Sequence, residues 1–175
     1  MNKYIALFRG INVGGRNILP MKDLKNILEE LNCTNVTTYI QSGNVVFNYE
    51  NDSKKIINKI QSAILNNFGF KPTLLLFTSK EFITAVNNNP FTSDTGKTIH
   101  FFFSSVTPAN PDLLKLNELK SESEKYKLIG NLFYLHAPEG IGRSKLAAAV
   151  ERCLGVPVTA RNLNTVNKII SLIGI

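Results

Sequence analysis

The sequence predicts an α+β protein made of two tandem ferredoxin-like plaits, each a split βαβ unit whose antiparallel sheet is covered by helices. Three observations carry this expectation. Apolar runs of strand length alternate along the chain with amphipathic stretches of helical period. The order strand–helix–strand–strand–helix–strand fills the first half and then repeats, which is the mark of a duplicated unit. Each half also carries a hairpin signal at its centre, Ser42-Gly43-Asn44 in the first and Gly130-Asn131 in the second. The division places one domain at residues 1–79 and the other at 80–175, the second with a connector helix and a C-terminal helix.

Taken in order, residues 3–9 alternate around Ile5 and Leu7 as a strand. A glycine-rich segment follows, and Pro20 opens a helix whose apolar stripe is Leu24, Ile27, Leu28 and Leu31. Residues 35–41 are rich in β-formers, and the turn at 42–44 returns the chain as a strand over 45–49. Asp52 or Ser53 caps a second helix with the stripe Ile56, Ile57, Ile60, Ile64 and Phe68, and residues 73–78 close the unit as a strand. In the second half a connector helix at 80–88 precedes a strand at 97–103 and a helix at 111–120. Strands at 125–129 and 132–136 form the hairpin. A helix over 144–154 ends at Gly155, residues 157–161 supply a short last strand, and residues 162–173 form the final helix.

At 175 residues, with 43% hydrophobic and 19% charged residues, the chain is long enough and apolar enough for a sizeable core. The net charge of +7 permits an anionic partner without demanding one. No run approaches the roughly 18 apolar residues of a membrane span, and the apolar stretch at 4–8 is short for a secretory h-region of about 7–15 residues. A cytoplasmic protein with no membrane partner is therefore expected. Cys33 and Cys153 are then expected as reduced, half-buried helix thiols. His100 and His136 share no ligand-like spacing with them, so no metal site and no cofactor is expected. Each histidine reads as a packed or solvent-facing imidazole.

The split βαβ topology gathers segments that are distant in sequence. In the first unit the loop after the first strand and the central hairpin turn emerge at one end, which brings residues 9–17 beside 41–44. In the second unit residues 140–145, leading into the second helix, share the opposite end with residues 160–162 at the exit of the last strand. The runs Leu74-Leu75-Leu76-Phe77 and Ile99-His100-Phe101-Phe102-Phe103 do not alternate, so both sheets are expected to be covered on both faces. Packing of the two sheets against each other within the chain would cover the second face, as would a homodimer; the packing within the chain is the expected way.

Four motifs stand out: RGINVGGRN from Arg9, QSGNVVF from Gln41, GRSKL from Gly142 and ARNLNTV from Ala160. Their sequences and order resemble those of the bacterial DUF1697 family, a group of unknown function, across essentially the whole chain. The chain departs from the family at Leu163, where tryptophan is frequent. The resemblance implies tandem ferredoxin-like plaits and implies no activity.

The motifs share a chemical bias that does point somewhere. Arg9, Arg16, Arg143, Lys145, Arg161 and Lys168 are cationic, and Asn12, Asn17, Gln41, Asn44, Asn162 and Asn164 are amides. Gly10, Gly14 and Gly15 allow close backbone approach, and Ser42, Ser144 and Thr165 add hydroxyls. Guanidinium forks, amides and backbone N–H groups suit phosphate or carboxylate, so these residues are the candidate anion ligands. The glycine loop fits neither a Walker A sequence nor a dinucleotide fingerprint. Ser144 and Asn162 also read as N-caps, and Ser42-Gly43-Asn44 also reads as a plain hairpin turn. No carboxylate or histidine lies within the motifs, so catalytic residues are not identifiable from sequence; Asp23, Glu139 or Glu151 would have to be brought in by folding. The reading is an anion-binding module for nucleic acid or a phosphorylated small molecule. The alternatives are an enzyme on a nucleotide or phosphorylated substrate, or a protein-interaction scaffold with no ligand.

Overall fold

In the computed structural model, which describes residues 2–51 and 53–174, two antiparallel four-stranded sheets with helices make an α+β fold. Asp52, one of the two expected caps of the second helix, lies outside the described residues. By contacts the chain divides into Met1–Thr84 with Lys168–Ile175, and Ala85–Asn167.

The first sheet has the order β2-β3-β1-β4, formed by β1 (Asn2–Arg9), β2 (Thr34–Tyr39), β3 (Asn44–Tyr49) and β4 (Thr73–Thr78). Helices α1 (Met21–Glu30) and α2 (Ser53–Phe68) intervene in the split βαβ order. Leu24, Ile27 and Leu28 from α1 and Ile56, Ile60 and Ile64 from α2 join Ala6, Phe8, Val45 and Phe47 in one core. Each fully buried isoleucine of α2 contributes roughly 1.5–3 kcal/mol, so burial of this stripe holds the helix to the sheet. The neighbouring strand residues Ile5, Leu7 and Val46 are buried as well, so the sheet is covered on both faces.

The second sheet repeats the pattern as β6-β7-β5-β8, from β5 (Ile99–Phe103), β6 (Lys125–Ile129), β7 (Leu132–His136) and β8 (Thr159–Asn162). Its helices are α4 (Leu113–Leu119) and α5 (Lys145–Leu154), while α3 (Ser79–Asn87) precedes β5 and α6 (Leu163–Ile173) follows β8. Phe102, Phe133 and Leu135 meet Leu116, Leu146, Val150 and Leu154 in its core. Thr78 and Glu81 open α3 as a capping box: the Glu81 carboxylate accepts from Thr78 N–H at 2.8 Å, and Glu81 N–H donates to Thr78 Oγ1 at 3.2 Å.

Several expected elements shift for local reasons. The second strand starts at Thr34 and carries a bulge before Thr37, because Asn35 sits at φ +52° and breaks the ladder. The last strand is Thr159–Asn162 instead of 157–161, since Pro157 has no N–H to offer a ladder. A 3₁₀ turn, Ile141–Arg143, precedes α5 where the sequence shows no helical period, since three residues are too few to leave one. Both cysteines are free, but each is buried instead of half-buried, and Cys33 lies past the end of α1. Burial pushes the Cys33 thiol up to about 11, so it stays protonated at neutral pH.

Candidate functional site

In the first unit the glycine loop folds into a tight hairpin of its own. Val13 and Arg16 form a bridge, Arg16 N–H donates to Val13 carbonyl at 3.0 Å, and Asn12 N–H donates to Asn17 carbonyl at 3.1 Å. Gly14 and Gly15 occupy the turn at φ +56° and +74°, the positive values that a type I′ turn requires at both centres. Asn12 pins this hairpin down: its Nδ2 donates to the carbonyls of Leu19 and Gln41, both at 2.9 Å, while its Oδ1 accepts from Leu19 N–H at 2.8 Å. Asn17 Nδ2 donates to Gly10 carbonyl at 2.8 Å, where Gly10 turns out of β1 at φ +73°.

The expected meeting of residues 9–17 with 41–44 is thus made by the Asn12 amide. Phe8 N–H also donates to Gly43 carbonyl at 2.8 Å, and Gly43 leaves no room for a side chain against Ile11 and Phe8. Asn44 is buried, with Nδ2 donating to Tyr39 carbonyl at 3.0 Å and to Ser42 Oγ at 3.1 Å. The amides Asn12, Asn17 and Asn44 are therefore engaged in holding loops. Arg16 and Gln41 are exposed at the surface of the cluster, and Arg9 is half-buried at the end of β1 opposite Thr73. Ile40 is a β-branched residue at φ +49°, 47% exposed, a conformation that costs on the order of 1–3 kcal/mol and that only the surrounding turn enforces.

In the second unit the ARNLNTV segment serves the start of α6. Asn162 Oδ1 accepts from Thr165 N–H at 2.9 Å, Leu163 N–H donates to Gly96 carbonyl at 3.1 Å, and Thr165 is buried. Asn164 packs so closely on Gly96 that a Cβ there would overlap its Oδ1. Two orphan donors of the helix are thereby satisfied within the protein. Arg161 donates from Nη1 to Ala160 carbonyl at 2.8 Å, and burial pushes its guanidinium down to about 10, so it remains charged at neutral pH. Lys168 is exposed on α6. In the adjacent strand, His100 is buried; desolvation lowers its pKa, opposed by a hydrogen bond with the Lys97 backbone, and its Nε2 has no partner among the described residues.

The GRSKL segment behaves differently, because it opens onto a cleft of about 380 Å³. Gly140 turns the chain at φ +94°, the 3₁₀ turn carries Arg143 outward, and Ser144 caps α5 by accepting Ala147 N–H at 2.8 Å. Arg143, Ser144 and Lys145 line the cleft together with Glu139 and Gly140 from the β7–α5 connection. Glu118, Leu119, Ser121 and Glu124, from the end of α4 and the loop after it, line it as well. Among the described residues neither the Arg143 guanidinium nor the Lys145 ammonium forms an ion pair. Arg161 and Asn162 do not line this cleft.

Of the three carboxylates considered from sequence, folding brings Glu139 into the cleft. Asp23 sits in the first turn of α1, and Glu151 Oε2 accepts Val158 N–H at 3.0 Å. Sequence reasoning missed Glu118 and Glu124, and nothing in their flanking residues marks them; they reach the site because the α4–β6 and β7–α5 connections leave the unit at the same end. Among the described residues no group of three or more His, Cys, Asp and Glu is placed to hold a metal ion, and no helix is long and apolar enough to cross a membrane.

Comparison with known proteins fixes the relationship and leaves chemistry open. No curated protein matches the sequence. Among solved structures, the conserved bacterial protein SP0830 from Streptococcus pneumoniae is similar in fold, with a TM-score of 0.73 at 23% identity over 98% of each chain. The model of the family described as "Protein of unknown function (DUF1697)" matches residues 1–134, which include two of the four motifs and the turns of both central hairpins. The chain belongs to that DUF1697 family.

Proposed function

We propose that this protein binds a phosphorylated small molecule in the cleft at the start of α5. The observation that carries the reading is the pair Arg143 and Lys145, two cations without an ion-pair partner among the described residues, lining one cleft. Both stand at the positive end of the α5 dipole, where each cation is disfavoured by about 0.3–1 kcal/mol, and a bound phosphate relieves that penalty. Lys145 and Leu146 N–H groups at the helix start complement the guanidinium fork. A nucleic-acid backbone is the weaker candidate, because Glu118, Glu124 and Glu139 share the cleft and repel a polyanion. Calorimetric titration with inorganic phosphate and with nucleoside monophosphates tests this. Binding that Arg143→Ala weakens at least about tenfold supports the site. Failure of every phosphate to bind, or binding indifferent to Arg143→Ala and Lys145→Ala, overturns it.

A further inference from the structure

The cleft holds opposite charges that do not pair with one another. Glu118 is engaged by Lys115 Nζ at 2.8 Å, outside the question. Glu139 Oε1 accepts from Ser123 Oγ at 2.9 Å and Glu124 Oε2 accepts from Ser121 N–H at 2.9 Å, so both carboxylates have neutral partners and, among the described residues, no cation. Arg143 and Lys145 line the same cleft, yet neither lies within ion-pair distance of these acids. Glu124 is 5% exposed, and its Oε1 accepts no hydrogen bond among the described residues. Lys120 Nζ donates to the Glu124 backbone carbonyl at 3.3 Å and not to the carboxylate. Among the described residues the Glu124 and Glu139 carboxylates therefore line the cleft without an ion pair and favour a positively charged group there.

Resting on the anion-binding reading above, we infer that the ligand of this cleft is a zwitterion, a phosphate joined by a short chain to an ammonium group. The phosphate meets Arg143, Lys145 and the start of α5, and the ammonium meets Glu139 and Glu124. This arrangement neutralises both sets of side chains at once, which a simple phosphate cannot do: it satisfies the cations and leaves the acids facing added negative charge.

The test is calorimetric titration of the full chain at low ionic strength with two probes that differ only in the ammonium, propyl phosphate and 3-aminopropyl phosphate. The expected result is that the aminated probe binds about five- to tenfold more tightly. In Glu139→Gln, an exposed position whose change spares the core, that ratio falls towards one, while Arg143→Ala weakens both probes. Equal affinities in the unaltered protein, or a ratio unchanged in Glu139→Gln, overturn the zwitterion and leave the anion site standing. Absence of binding by both probes to a natively melting protein overturns both readings.

Discussion

Gly43 offers a quantitative test of how the two loop segments of the first unit are locked together. A Cβ at this position would stand 2.6 Å from Ile11 Cδ1 and 2.7 Å from Phe8 Cβ, and the residue sits at φ +77°. Two costs therefore add in Gly43→Ala. The left-handed backbone disfavours an L side chain by roughly 1–2 kcal/mol, and forcing a methyl into a packed contact costs roughly 1–3 kcal/mol more. The smaller entropy of the unfolded alanine chain offsets less than about 1 kcal/mol of this. The expected loss is about 2–4 kcal/mol, a large part of the roughly 5–15 kcal/mol that holds a typical domain. Gly14→Ala is the matched control, since Gly14 has φ +56° but nothing within 4 Å of a Cβ, so it isolates the backbone cost at about 1 kcal/mol. Urea unfolding followed by far-UV circular dichroism reads both; with a slope of about 2 kcal/mol/M, Gly43→Ala moves the midpoint down by about 1–2 M. If the two variants differ by less than about 0.5 kcal/mol, the turn does not press on Phe8 and Ile11 as described.

Three further outcomes follow from the same contacts. Gly96→Ala, whose Cβ would lie 2.1 Å from Asn164 Oδ1 and 3.1 Å from Asn164 N, destabilises the protein; adding Asn164→Ala recovers only the part due to the side chain, and a double-mutant cycle of thermal unfolding shows coupling of about 0.5–3 kcal/mol. Asn12→Ala strands the Leu19 N–H and the Leu19 and Gln41 carbonyls and lowers stability by about 1–3 kcal/mol, while calorimetric phosphate binding at α5 is unchanged. Burial holds the folded His100 pKa below its ordinary 6.5, so the unfolded chain takes up the proton first: stability is full above pH 6.5 and falls as the pH drops below it. Melting temperatures from pH 7.5 to 5 should decline less steeply in His100→Gln, and parallel curves for the two proteins would refute this assignment.

The cleft also shows why the motifs divide into two kinds. Asn12, Asn17, Asn44 and Asn162 hold backbone by hydrogen bonds within the turns and caps they serve, whereas among the described residues Arg143 and Lys145 hold no such bond from their side chains. An amide in a recurrent motif is often there for the loop, because Asn tolerates positive φ and bonds its own neighbourhood. A cation without a partner at a helix start has no comparable local task.

What the sequence by itself determined is periodicity and local chemistry. The stripe Ile56, Ile60, Ile64 dictates a helix buried on one face, Leu132–His136 and Lys125–Ile129 close around Gly130-Asn131 at the residues expected, and Ser144 and Asn162 are caps. These are readable because helix pitch, strand alternation and capping act over a few residues. The tertiary structure alone decided that Glu118, Glu124 and Glu139 face Arg143 and Lys145, and that Asn12 spends its amide on Leu19 and Gln41. The pairings of Glu118 and Glu124 with Arg143 and Lys145, and of Asn12 with Gln41, join segments about twenty to thirty residues apart, and their partners are chosen by which connections leave the sheet at the same end, a property of topology that no short stretch of sequence contains.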